Sequence, residues 1–189
     1  LGNHGNFACF SLQAIKHYTS GDGGILILPD EEQYRRAKLL RWYGIDREQS
    51  GKGDFRCEED ISEWGFKFHM NDINATIGIH NFPHVAKCVD GFKDNATCYD
   101  AELQGVNGVT LMRRDEWADS ASWIYTLKVE RRQDFMRYMD SKGVMVSRVH
   151  ERNDKHSCLA EFKTELPNLD ILAEEMVCIP NGWWVSAED

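Results

Sequence analysis

Two short apolar runs, residues 7–11 and 25–28, open the chain. Each has strand length, and the second is bounded by the turn cluster Gly21-Asp22-Gly23-Gly24. Lys16 lies in an aperiodic stretch between them. Asp30 then predicts a helix start, with Gln33 at the capping-box position and Gly44 as the stop. Over residues 30–43, Tyr34, Ala37, Leu40 and Tyr43 share one face, while Arg35, Arg36, Lys38 and Arg41 give a basic, solvated face. Residues 44–63 are polar and aperiodic and read as a long loop. Helix resumes near Asn71 and, across a break at Pro83, reaches about Leu103. Ile73, Ile77, Val85, Val89 and Phe92 form its apolar stripe, and a helix of this kind suits a link between domains. A βαβ-like pattern follows, with a strand over 123–129, a helix over 132–142 ended by Gly143, and a strand over 144–148. A polar loop rich in His, Arg and Asn and a helix over 168–178 complete the chain.

Composition narrows the function. At 189 residues and 42% hydrophobic, the chain can bury one sizeable core or two small ones. With 22 Lys+Arg against 31 Asp+Glu, its charge of −9 disfavours nucleic acid and anionic membranes, and no local basic patch offsets that charge. No apolar run approaches bilayer length and nothing resembles a secretion signal, so a cytoplasmic location is expected. The six cysteines, Cys9, Cys57, Cys88, Cys98, Cys158 and Cys178, form no CxxC pair and read as reduced and structural. His80 and His84 have i,i+4 spacing, but Pro83 between them interrupts the helical turn, so no metal site is expected. Leu1 opens within a buried-looking run, and Ser186 begins what reads as a helix cap with an acidic first turn, so the sequence reads as cut at both ends.

The chemistry concentrates in the stretch from Phe10 to Gly24. A lysine on an irregular loop at a sheet edge is partly desolvated, which favours the neutral, nucleophilic amine that imine formation requires. Ser11, at the end of the first strand, offers a hydroxyl donor to a phosphate, and Gly21, Gly23 and Gly24 let backbone pass close to a ligand.

The run FSLQAIKHYTSGDGGILI, followed by DEEQYRRAKLLRWYGI, resembles the lysine segment of the DegT/DnrJ/EryC1/StrS family of sugar aminotransferases. GFKFHMNDINATIGI resembles the same family's second motif, and the strand at Trp123-Ile124-Tyr125 and the turn at Lys142-Gly143-Val144 also fit. The resemblance implies an α/β, fold-type-I transferase dependent on pyridoxal 5'-phosphate (PLP). Residues 1–103 would be the end of the large domain with its linking helix, and residues 104–189 the small carboxyl-terminal α/β domain. The implied reaction moves an amino group, usually from glutamate, onto a nucleotide-linked keto-deoxysugar, in a homodimer whose active sites are shared between subunits.

Position by position, the resemblance puts Lys16 on the Schiff-base lysine and Ser11 on a serine that binds the cofactor phosphate. Relatives that dehydrate sugars carry histidine where Lys16 stands, so the lysine argues for amination. Where the family has an asparagine and an arginine reaching into the neighbouring subunit, this chain has Lys67, a point charge for phosphate, and His69, a pH-dependent donor to substrate. His150 and Arg152 fall in a loop that the family places near the active-site mouth, where they would meet a sugar or diphosphate. The aspartate that partners the pyridine nitrogen belongs to the family's amino-terminal half and does not occur here. The alternative reading is therefore a catalytically silent fragment that folds and associates without binding cofactor.

Overall fold

A computed structural model describes residues 5–48, 60–115, 117–186 and 188. Cys57 and much of the expected 44–63 loop lie outside these. The chain folds into two compact units, Leu1–Val85 and Ala86–Asp189.

In the first unit, β1 (Ala8–Ser11) and β2 (Gly24–Ile27) pair antiparallel, with Ala8 opposite Ile27 and Ser11 opposite Gly24. The apolar runs thus form the two strands expected of them. Helix α1 (Glu31–Leu40) starts where Asp30 Oδ1 accepts the Gln33 N–H at 2.8 Å. It ends three residues short of the expected Tyr43. Tyr43 has a φ of 58°, and Trp42 forms an antiparallel bridge to Lys67 instead of continuing the helix. The Phe66 N–H donates to Leu40 O (2.7 Å), Tyr43 N–H to Phe66 O (3.1 Å) and Phe68 N–H to Arg41 O (2.9 Å), so residues 66–68 run as an extended segment along the end of α1.

Gly44 explains that closeness. Its φ is +81°, and a Cβ there would lie 2.0 Å from the Glu63 carbonyl oxygen, so only glycine lets the two backbones meet. The basic face of α1 is partly used in ion pairs: Arg36 binds Glu63 at 2.7 Å and holds that carboxyl below the usual carboxylate range, and Lys38 pairs with Glu48.

Helix α2 (Asp72–Asn81) begins where Asn71 Oδ1 accepts the Asn74 N–H at 2.9 Å. The expected break at Pro83 is a single 3-10 turn, Phe82–His84, before α3 (Val85–Leu103). The apolar stripe is corrected in part. Phe92 is buried, but Ile73 is 73% exposed and Ile77 40% exposed.

The second unit holds β3 (Val109–Leu111), β4 (Tyr125–Val129) and β5 (Met176–Ile179) in one antiparallel sheet of order β3-β4-β5. Helices α4 (Arg132–Ser141) and α5 (Pro167–Glu175) complete it. Strand β4 alternates strictly, burying Tyr125, Leu127 and Val129 against Ala96 of α3 and Val177 of β5, with Tyr99, Phe135 and Met136 packed around them. The Tyr125 hydroxyl donates to Asp100 (2.6 Å); burial first, and that carboxylate second, push the phenol far above its ordinary pKa.

Two expectations are corrected here. The βαβ-like pattern yields an antiparallel sheet, and residues 144–148 contribute only a bridge from Ser147 to Cys178. The helix expected over 168–178 stops at Glu175, and its last residues belong to β5, where Val177 is fully buried. Phe92 and Ala96 of α3 are buried in the second unit.

Candidate active site around Lys16

Lys16 sits on the loop joining β1 to β2, and the loop is closed by backbone bonds at its neck: Leu12 N–H to Gly23 O (2.9 Å) and Ser20 N–H to Leu12 O (3.0 Å). The Lys16 N–H donates to Gln13 O (3.0 Å), forming a tight turn, and the lysine is half-buried. Side chains complete the closure. Thr19 Oγ1 donates to Leu12 O (3.0 Å), and Ser20 Oγ, fully buried, donates to Asp22 O (2.6 Å). Ser11 differs from both. Its Oγ accepts the Gln13 N–H (3.3 Å), which leaves its own O–H to donate, and the residue is exposed at the end of β1.

Helix α2 buttresses this loop through a face that sequence reasoning missed. Asn74 Nδ2 donates to Asp22 O (3.1 Å) and Asn81 Nδ2 to Thr19 O (3.0 Å). Between them, a Cβ on Gly78 would lie 3.3 Å from both Ser20 Cβ and the Tyr18 hydroxyl, so the missing side chain sets how near the helix comes. Tyr18 meets the ring of Phe82 edge-on, with centroids 5.6 Å apart. Asn74, Gly78 and Asn81 stand at i, i+4 and i+7, the spacing of one helix face. That spacing was a readable signal.

The other expected residues stand on other segments of the chain. Lys67 is exposed on the extended segment, between Phe66 and Phe68, whose rings stack at 4.9 Å. His69 packs edge-on against Trp42, with centroids 4.1 Å apart, and its Nδ1 is buried with no hydrogen-bond partner among the described residues. His69 also lines a cavity of about 460 Å³ with Leu26, Tyr34, Phe68 and Met70. Met70 Cε approaches the loop at Gly23, 3.1 Å from where a Cβ would stand.

His150 and Arg152 belong to the second unit. His150 is exposed, whereas the Arg152 guanidinium is engaged by Asp154 at 2.8 and 2.5 Å and by Asp170. Those two carboxylates hold Arg152 protonated far beyond its ordinary range, and Arg152 in turn lowers the Asp154 pKa.

A phosphorylated aldehyde cofactor needs an amine for its carbonyl carbon, donors for its phosphate, and backbone that tolerates close approach. The loop supplies all three: Lys16, the Ser11 O–H, and the glycines beside β2. At Gly24 a Cβ would meet Phe10 O at 2.9 Å, so the strand pair has no room for a side chain there. The residues present fit PLP.

The whole chain, residues 1–189, matches the DegT/DnrJ/EryC1/StrS aminotransferase family, and the chain belongs to that family. Among solved structures, AtS13 from Actinomadura melliaura is 44% identical with a TM-score of 0.93. The sugar aminotransferase CalS13 from Micromonospora echinospora is 41% identical with a TM-score of 0.94. Each match covers 100% of this chain and 50% of the other, so this chain spans about half the length of those proteins. The UDP-4-amino-4-deoxy-L-arabinose–oxoglutarate aminotransferase of Shewanella sediminis is 28% identical over 119 residues, 60% of this chain and 30% of that protein. The fold is thus the α/β fold of the fold-type-I, PLP-dependent sugar aminotransferases, as the resemblance implied. Among the described residues no helix is long and apolar enough to cross a membrane.

Proposed function

We propose that this chain is the lysine-bearing part of a cytoplasmic, PLP-dependent aminotransferase that acts on a nucleotide-linked keto-deoxysugar with glutamate as amino donor. The observation that carries the reading is the Lys16 loop. Lys16 is half-buried, the loop's neck is closed by backbone bonds, and among the described residues the one Ser or Thr hydroxyl of the loop with an uncommitted proton is the serine that the resemblance assigns to phosphate.

When bound, PLP supplies the electron sink for a carbon that loses its proton. Lys16 would hold the cofactor through its Nζ and, when that amine is free, would act as the general base and acid that carries the proton. Ser11 Oγ would donate to its phosphate and so help to hold it beside Lys16. In a homodimer with shared sites, Lys67 adds a positive charge toward phosphate, and His69 and His150 offer donors to the sugar. The exposed apolar side chains of the first unit, including Trp64, Phe68 and Ile73, support association with a second copy. The name of the Shewanella relative, which specifies a UDP-linked sugar and oxoglutarate, supports the nucleotide sugar and the glutamate donor.

The test is optical. Titrating the purified chain with PLP produces a near-visible band absent from Lys16→Ala, and glutamate bleaches it while 2-oxoglutarate accumulates. No Lys16-dependent band would mean that the silent-fragment reading holds.

A further inference from the structure

We propose that Arg152 is a positioning residue, a fork held by two carboxylates that fixes His150 at the mouth of a cavity in the second unit. The geometry begins at Val149, whose φ of 54° is a left-handed conformation that β-branched residues strongly disfavour. Such a turn persists only where its flanks are anchored. On the amino-terminal side, Ser147 and Cys178 exchange backbone bonds (N–H to O, 3.1 and 2.6 Å), tying the turn to β5. On the carboxyl-terminal side, Arg152 gives Nε and Nη2 to the two oxygens of Asp154 and Nη1 to Asp170 in the first turn of α5. Its side chain is only 14% exposed, so the fork is largely shielded from water.

The remaining charges between the anchors pair with one another. Arg148 binds Glu151 at 2.6 Å, Lys155 binds Glu151 at 3.2 Å, and the Arg152 N–H donates to Glu151 Oε1 at 2.9 Å. These bonds hold the Glu151 carboxyl below its usual range. The His150 imidazole stands outside this network among the described residues. His150 lines a cavity of about 650 Å³ whose border is charged and polar at Glu151, Arg152, Asn153 and Asp154 and apolar at Leu159 and Phe162. A border that is apolar on one side and carries two carboxylates on the other suits a deoxygenated sugar ring better than a diphosphate, because Glu151 and Asp154 repel phosphate and the arginine that would bind it is already neutralised. The clamp stands on this geometry alone; its bearing on the sugar rests on the function proposed above.

The experiment is 1H–13C NMR of the histidine-labelled chain, with His150 assigned through His150→Gln. The parent gives a His150 resonance dispersed from the position of an unstructured peptide histidine. In Arg152→Ala, and equally in Arg152→Lys, which keeps the charge and loses the fork, that dispersion collapses while His80 and His84 stay in place. Asp170→Asn, at a side chain that is 61% exposed, produces a partial collapse and remains informative if an arginine variant fails to fold. An unmoved His150 resonance in all three overturns the clamp.

A kinetic arm separates the two claims. Arg152→Lys raises KM for the sugar substrate about tenfold with kcat held within about twofold. Collapsed dispersion with KM unchanged upholds the clamp and overturns the assignment of His150 to the substrate.

Discussion

Ser11 and Lys16 are separated by one turn of loop, and what each contributes follows from where its hydrogen bonds already go. The Ser11 hydroxyl accepts from Gln13, while the Thr19 and Ser20 hydroxyls give their protons to loop carbonyls and so maintain the loop's shape. Ser11→Ala should therefore leave the loop closed and weaken PLP binding about tenfold, the value of roughly one charge-assisted hydrogen bond. A PLP titration of the variant checks this, and unchanged affinity would remove Ser11 from the phosphate site. Arg152 illustrates the opposite case. The resemblance places Arg152 in a loop that would meet a sugar or diphosphate, but its planar fork is filled by Asp154 and Asp170, the latter eighteen residues away in sequence. No local pattern discloses such a partner.

At the scale of elements, what was legible was what is local. Asp30 and Asn71 cap their helices as their residue types predict, because a cap needs only the next three residues. The end of α1 was not legible, since it depends on residues 66–68 arriving alongside it. Strand β5 was hidden because Met176 follows α5 with no turn residue between, and β3 because three residues carry too little alternation to be recognised. The lysine and its serine were visible through the family resemblance. The face of α2 that supports them was readable in its spacing but was missed, since its stripe was sought among isoleucines, whereas two asparagine amides and a glycine make the contact. Gly78→Val consequently drives branched carbons into Tyr18 and Ser20 and should destabilise the first unit by about 1–3 kcal/mol, read by denaturant unfolding. A neutral result would show that α2 does not set the loop's position.

For the whole molecule, the two units differ in how they are completed. The second has its own core around Tyr125, Leu127 and Val177. The first exposes both strands of its sheet together with Trp64 (74%), Phe68 (75%), Ile73 (73%) and Ile79 (70%), more apolar surface than a stable monomeric unit usually shows. Association with a second copy, in an assembly whose sites are shared, is the arrangement proposed to cover it. The central claim, however, concerns a single nitrogen atom. The most direct measurement mixes the purified chain and its Lys16→Ala variant with PLP, reduces both with borohydride, and determines the mass and attachment point of any adduct. One pyridoxyl group per parent chain, mapped to Lys16 and lost in the variant, is the predicted result. No adduct, or equal labelling of both proteins, would contradict it.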